Sequence, residues 1–274
     1  MRVSQSPLYQ VFALRYAVSA LRPWHENFIY PDPDQTEIPL AYYIWVAIST
    51  DRVIVIDTGF TERAAAQRRR TIVHNPTQLL AAVGIAADSV RDVILTHLHY
   101  DHAGNLGAFP NAVFHLQETE MSYATGRYMS HFRLAQAFDV ENVVSIVRGN
   151  FDGRVRFHDG TSEIAPGVAV HRVGGHTAGL QIVRINTSRG WIVLASDAAH
   201  LSANLTKRNP FPIVLHLGET LEGYKLCESL ADRPDMIIPG HDPAVMDLWP
   251  RTSESPDIVR VDLQPRVPAQ ISAE

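Results

Sequence analysis

The chain has 274 residues, 46% hydrophobic and 19% charged, the make-up of an ordinary globular protein with enough apolar content for a sizeable core. Its formal charge of −5 gives no electrostatic footprint for nucleic acid, and no apolar run reaches the length of a bilayer. Cys227 is the only cysteine, which excludes an intramolecular disulfide framework and a structural zinc site built from thiolates.

No secretory signal pattern opens the chain, so cytoplasmic residence is expected. A single domain spanning 1–274 is expected, with a core over about 8–250 and a loose C-terminal tail over 251–274. Tyr9 to Tyr16 reads as a strand, and Tyr42–Ile48 with Val53–Ile56 as a hairpin around Ser49-Thr50-Asp51. Between them, Arg22 to Leu40 holds Pro23, Pro31, Pro33 and Pro39 among Trp24, His25, Phe28 and Tyr30. Those prolines oppose regular structure, and the aromatic residues could equally be surface groups or a pocket wall. The basic run Arg68-Arg69-Arg70 reads as the solvated face of a helix.

Thr77 to Val83 has the pattern of a helix closed by Gly84, followed by a buried strand Val93–Leu95. Gln117 to Phe138 has a helical pattern rich in aromatic residues and methionine. Strands follow at Arg154–Phe157, Val168–Val173, Leu180–Asn186 and Trp191–Ala195, then a helix over Leu217–Ala231 and a strand at Met236–Ile238. Strands and helices in both halves imply helices packed outside paired sheets.

The chemistry is concentrated in Thr96-His97-Leu98-His99-Tyr100-Asp101-His102, directly after Val93-Ile94-Leu95. In an extended segment side chains two apart share a face, so His97 and His99 can converge on one ion. Asp101 and His102 are left for another. Imidazole and carboxylate are ligands that zinc, manganese and iron accept. Three further ligand-type residues each follow an apolar strand or glycines: His176 in Gly174-Gly175-His176-Thr177-Ala178-Gly179, Asp197 after Trp191–Ala195, and His241 in Pro239-Gly240-His241-Asp242. Singly, such a histidine could serve a turn and Asp197 could cap a helix. Together with the first cluster they make five histidines and two aspartates, a set suited to two ions sharing a carboxylate. His25, His74, His115, His131, His158 and His171 lack ligand-type neighbours, and His216 sits in an apolar context that could reach a pocket floor.

From about Tyr42 to Trp249 these motifs, with Val55-Ile56-Asp57-Thr58-Gly59, resemble the metallo-β-lactamase superfamily and, within it, the N-acyl-homoserine lactonase branch. The resemblance implies an α/β fold, an αβ/βα sandwich of two mixed β-sheets with helices on the outer faces. It also implies that His97, His99 and His176 hold a first ion, that Asp101, His102 and His241 hold a second, and that Asp197 bridges them. Asp57 would orient a ligand imidazole without touching metal. The cofactors implied are two divalent ions, zinc favoured over manganese, iron or cobalt.

The reaction implied is the opening of a lactone of a small acyl or aromatic compound by a hydroxide shared between the ions. Asp101 would pass a proton to the leaving group. The acyl-homoserine lactonases carry a tyrosine three residues after the bridging aspartate, whereas this chain has His200, a candidate catalytic group that can donate to a carbonyl or a leaving oxygen. Thioester, other ester and cyclic-amide hydrolysis are the alternatives, and an iron-dependent oxidoreductase on the same ligands is a more distant one. Partners are expected to be a small lactone or ester and, as a candidate, a second copy of the chain, with neither nucleic acid nor membrane. Specificity is expected from Arg22 to Leu40 and Ser122 to Phe138.

Overall fold

The computed structural model describes residues 6–31, 37–252 and 255–266. Among them, strands β1 (Gln10–Val18), β2 (Ala41–Ile48), β3 (Val53–Ile56), β4 (Thr71–Ile72), β5 (Asp92–Ile94), β6 (Val113–Gln117) and β7 (Val155–His158) belong to one sheet. Strands β8 (Thr161–Ala165), β9 (Val168–Arg172), β10 (Gln181–Thr187), β11 (Gly190–Ser196) and β12 (Ile237–Pro239) form the second, in the order β12-β11-β10-β9-β8. The last strand, β13 (Ile258–Arg260), returns to the first sheet beside β1. Both sheets are mixed: β1, β2 and β3 run antiparallel while β3, β5, β6 and β7 are parallel, and β12 is parallel to β11 in an otherwise antiparallel sheet.

The two-residue side-chain period explains how three cores arise from two sheets. Along β2, Ala41, Tyr43, Trp45 and Ala47 face Val170, Val183, Ile185, Ile192 and Leu194 of the second sheet, forming the layer between the sheets. The alternate residues Tyr42, Ile44 and Val46 face outward and are covered by α2 (Glu62–Arg68), α3 (Pro76–Ala82), α4 (Glu118–Ala124) and α6 (Val140–Phe151). On the other side, Ile182, Val193 and Ala195 pack under α7 (Ser202–Thr206) and α8 (Leu217–Leu230). The αβ/βα sandwich expected from the motifs is therefore present. Cys227 of α8 is buried in that last core, where burial pushes its thiol up to about 12 and leaves it inert.

Several local expectations are corrected. The loop from Arg22 contains one helical turn, α1 (Trp24–Asn27), and Pro33 lies outside the described residues. The segment Gln117–Phe138 is not one helix. It breaks at Gly126 into α4, a turn at Arg127–Ser130 and α5 (Phe132–Ala135), and β6, α6 and β8 have no counterpart in the sequence reading. Residues 255–266 are not a loose tail: Ile258, Val259 and Val261 are buried, and Asp257 pairs with Arg15. A short helix, α9 (Val245–Leu248), precedes that return. No helix among the described residues is long and apolar enough to cross a membrane.

Candidate metal centre

Parallel strands end at the same edge of a sheet, and here those edges meet. Asp57 follows β3 and His97 to His102 follow β5, its parallel neighbour. Asp197 follows β11 and His241 follows β12, again parallel neighbours, while His176 lies in the turn between β9 and β10. Two non-glycine residues at these strand ends have left-handed backbones, Asp57 at φ 62° and Ser196 at φ 46°. Such conformations persist only where surrounding contacts hold them. The contacts form one chain: Ser196 Oγ donates to Thr96 Oγ1 (2.8 Å), Thr96 Oγ1 donates to Asp57 Oδ2 (2.9 Å), and Asp57 also accepts from Thr96 N (2.8 Å) and His102 Nδ1 (2.7 Å).

All seven residues expected as ligands are brought together and buried. Ligand atoms of His97, His99 and His176 lie within 4.8 Å of one another, as do those of Asp101, His102 and His241. Asp197 stands between the two groups and divides its oxygens. Its Oδ1 is 3.0 Å from His241 Nε2 and 3.2 Å from His102 Nε2, while its Oδ2 is 3.3 Å from His176 Nε2 and 3.9 Å from His97 Nε2. Asp101 Oδ2 is 3.7 Å from both His102 Nε2 and His241 Nε2.

The outer nitrogens fix the inner ones. His176 Nδ1 donates to the Ile213 carbonyl (2.5 Å) and His241 Nδ1 to the Ala41 carbonyl (2.9 Å), so Nε2 is the nitrogen that each ring turns inward. His97 Nε2 is buried without a hydrogen-bond partner, and His102 Nε2 meets only carboxylates, Asp197 at 3.2 Å and Asp101 at 3.7 Å. Burial, reinforced by neighbouring imidazoles, holds His97 and His99 well below the usual imidazole range, which keeps them neutral and able to ligate. His102 shows the converse: burial opposes its charge, but Asp197, Asp57 and Asp101 outweigh burial and draw a proton to it. Orphaned inward nitrogens and carboxylates that demand positive charge are what a pair of divalent cations would satisfy. The nitrogen and oxygen donor set suits zinc.

His200 also belongs to this cluster. Its Nε2 lies 2.9 Å from Asp197 Oδ2, its Nδ1 is buried without a partner, and its ring stacks on Phe211 at 3.4 Å between centroids and 6° between planes. Burial lowers its pKa to about 3, so it stands neutral beside the carboxylate. Ligand atoms of Asp197, His200 and His241 form a further close group.

Sequence reading missed two contributors. Glu120 of α4 is buried and accepts from Leu98 N (3.0 Å) and Gly179 N (3.0 Å), clamping the loops that carry His97, His99 and His176. Burial raises its pKa, and those amides oppose the rise. Only an acid within a helical pattern marked it in the sequence. The second contributor is the run Arg68-Arg69-Arg70, of which only Arg69 is solvated: Arg68 and Arg70 line the cavity over the cluster. His216 does not reach that cavity, but caps α8 by accepting from Glu219 N (3.0 Å). His115 and His158, expected to be ordinary, bond each other at 3.1 Å, and His115 also bonds Asp92 at 3.1 Å.

Residues 37–241 match the model of the metallo-beta-lactamase superfamily. The chain belongs to that superfamily. Among its relatives is the N-acyl homoserine lactonase AiiA of Bacillus thuringiensis subsp. kurstaki, 29% identical over 175 residues, or 58% of this chain and 64% of that protein. The chain thus spans about 64% of the length of the lactonase it matches. A probable metallo-hydrolase of Mycobacterium tuberculosis (strain ATCC 25618 / H37Rv) is 24% identical over 245 residues, 82% of this chain and 77% of its own length. Among solved structures, an N-acyl homoserine lactone hydrolase with N-hexanoyl-L-homoserine at its catalytic metal centre superposes with a TM-score of 0.72 at 21% identity, covering 89% of this chain and 96% of that one. The dizinc quorum-quenching lactonase AidC superposes at 0.64 and 18% identity, covering 91% and 92%. These two likenesses establish the shared fold.

Proposed function

We propose that the chain is a two-zinc hydrolase that opens the ring ester of a small lactone. The observation that supports it most is the division of Asp197: one carboxylate oxygen faces His102 and His241, the other His97 and His176. In this reading His97, His99 and His176 would hold one ion and Asp101, His102 and His241 the other, with Asp197 shared between the two groups. The lactonase names of the curated relatives support the same reading. When bound, paired zinc ions lower the pKa of water toward neutrality and polarise an ester carbonyl.

The residues of the chain do the rest. Asp57, tied to His102 and to Thr96, holds the His102 ring in place. Asp101 is fixed from behind, because the Tyr16 hydroxyl donates to its backbone carbonyl (2.9 Å), and its carboxylate faces the cavity. There it takes a proton from the attacking water and delivers it to the alkoxide released as the ring carbon–oxygen bond breaks, giving a hydroxy acid. His200, neutral and in the same cavity wall, keeps its Nε2 proton on Asp197 Oδ2 and so holds that carboxylate in place beside the substrate. The cavity of about 230 Å³ is small for a ligand site and favours a compact substrate.

The test is a panel of lactones, aromatic esters, cyclic amides and thioesters offered to zinc-loaded protein, with metal content measured alongside and His97→Ala as control. Lactone opening with about two zinc ions per chain is expected. Turnover confined to thioesters or cyclic amides, or iron with oxygen uptake, would replace the reading.

A further inference from the structure

We propose that the lactone carries a carboxylate, seated by Arg68 and Arg70 at the wall of the cavity; this rests on the lactonase reading above. Helix α2 ends at Arg69, whose left-handed backbone (φ 53°) turns the chain back so that β4 can pair with β1. The turn places the flanking arginines, Arg68 and Arg70, on the cavity that contains His99, Asp101, His176, Asp197, His200 and His241.

Among the described residues no carboxylate pairs with Arg68 or Arg70, whereas Arg22, which lines the same cavity, is engaged by Glu26 at 3.0 Å. Arg68 lies over the Tyr100 ring, 3.9 Å from its centroid, and donates to the Phe138 carbonyl at 3.2 Å, which fixes its guanidinium without neutralising it. Arg70 lies 5.9 Å from the Tyr42 ring centroid with its Nε buried without a partner; burial opposes its charge, and Tyr42, Tyr100 and, more weakly, Asp101 favour it. Among the described residues the carboxylates lining the cavity are Asp101 and Asp197, both assigned above to the metal ions. Two half-buried guanidiniums without an ion-pair partner among the described residues, beside a hydrolytic centre, form a seat for a compact anion, and a planar carboxylate is one the guanidinium fork fits in a cavity this small.

A γ-lactone with a ring carboxylate is compared with its matching carboxamide, which is equal in shape and uncharged. The zinc-loaded enzyme should prefer the carboxylate in kcat/KM on the order of 30-fold, mainly through KM, as expected for charge-assisted hydrogen bonds. Arg70→Gln and Arg68→Gln should each reduce that ratio, the double variant should bring it near unity, and Arg70→Lys should keep part of it. Calorimetry supplies a readout without turnover: glutarate should bind the zinc-loaded wild type at least tenfold more tightly than the double variant.

Lactones opened with carboxylate and carboxamide within twofold would overturn the anion seat and leave the lactonase reading intact. Arginine-dependent glutarate binding without opening of any lactone would uphold the seat and sink the lactonase reading. Glutarate binding unchanged by the double substitution would overturn the seat whatever the turnover shows.

Discussion

Asp57 shows how one side chain can govern a metal centre it does not touch. It accepts hydrogen bonds from Thr96 N, Thr96 Oγ1 and His102 Nδ1, and it does so from a left-handed backbone. Asparagine tolerates that backbone, so Asp57→Asn tests the charge and acceptor capacity alone. Zinc affinity should fall about 10- to 100-fold in competition with a chelator, and an unchanged affinity would remove Asp57 from the account. For His200, substitution by Phe preserves a ring against Phe211 but removes the nitrogen at Asp197. His200→Phe should lower kcat at least tenfold with zinc content intact, whereas unchanged turnover would make His200 a packing residue.

The candidate ligands were legible because each is announced locally, by an apolar strand ending in a histidine or aspartate or, for His176, by the glycines before it. Glu120, Arg68 and Arg70 were not. Their roles come from where α4 and the end of α2 are packed, and no spacing along the chain encodes that.

At the scale of elements, the strand ends depend on backbones that approach too closely for side chains. An added Cβ at Gly104 would lie 2.5 Å from the Gly59 carbonyl oxygen and 2.6 Å from Phe60 Cα, both backbone atoms that cannot yield. Gly104 N donates to that same Gly59 oxygen at 2.7 Å, locking the loop after His102 against the one after Asp57. Gly104→Ala should therefore cost about 3 kcal/mol, lowering Tm by roughly 6–12 °C in thermal unfolding. The same kind of contact limits what a sequence pattern reveals. The aromatic run Gln117–Phe138 has helical periodicity, yet its α4 portion ends before Gly126, where a Cβ would meet the Ser122 carbonyl at 2.7 Å. The aromatic residues of the Arg22–Leu40 loop also serve differently from expectation. Phe28 is buried in the outer core with Trp24 packed against it, so this loop lends the cavity Arg22 and Leu40 instead.

Across the whole molecule, the sandwich was readable from alternating strands and the motif order, but its closing strand was not. Residues after Pro250 are rich in proline and polar groups, and only the partner β1 reveals that Ile258–Arg260 is a strand. Removing residues 257–274 would expose the β1 edge, discard the buried Ile258, Val259 and Val261, and leave Arg15 and His74 without Asp257. The buried aliphatics alone stabilise by about 5 kcal/mol. The truncated chain should melt at least 10 °C lower, and an unchanged Tm would restore a loose tail.

Acid stability has a separate source away from the metal ligands, on the β6–β7 edge. Burial, with charge from His115 and Arg156, lowers His158 to about 4 from its usual 6.5. Between those values the unfolded chain binds the proton and the fold does not, so stability is complete above pH 6.5 and falls as the pH drops toward 4. With allowance for its partial contact with solvent, the effect is about 2 kcal/mol. His158→Gln should flatten the fall in Tm between pH 7 and pH 5 relative to wild type at equal zinc; parallel curves would assign the acid sensitivity elsewhere.

The most direct test of the central claim is proton release in weakly buffered solution near pH 7.5, since opening a lactone ring yields a carboxylic acid that ionises at once. Zinc-loaded wild type given a γ-lactone should release one proton per ring opened, at a rate at least 100-fold above His97→Ala. Proton release no faster than that variant, from protein measured to carry two zinc ions, would contradict the account.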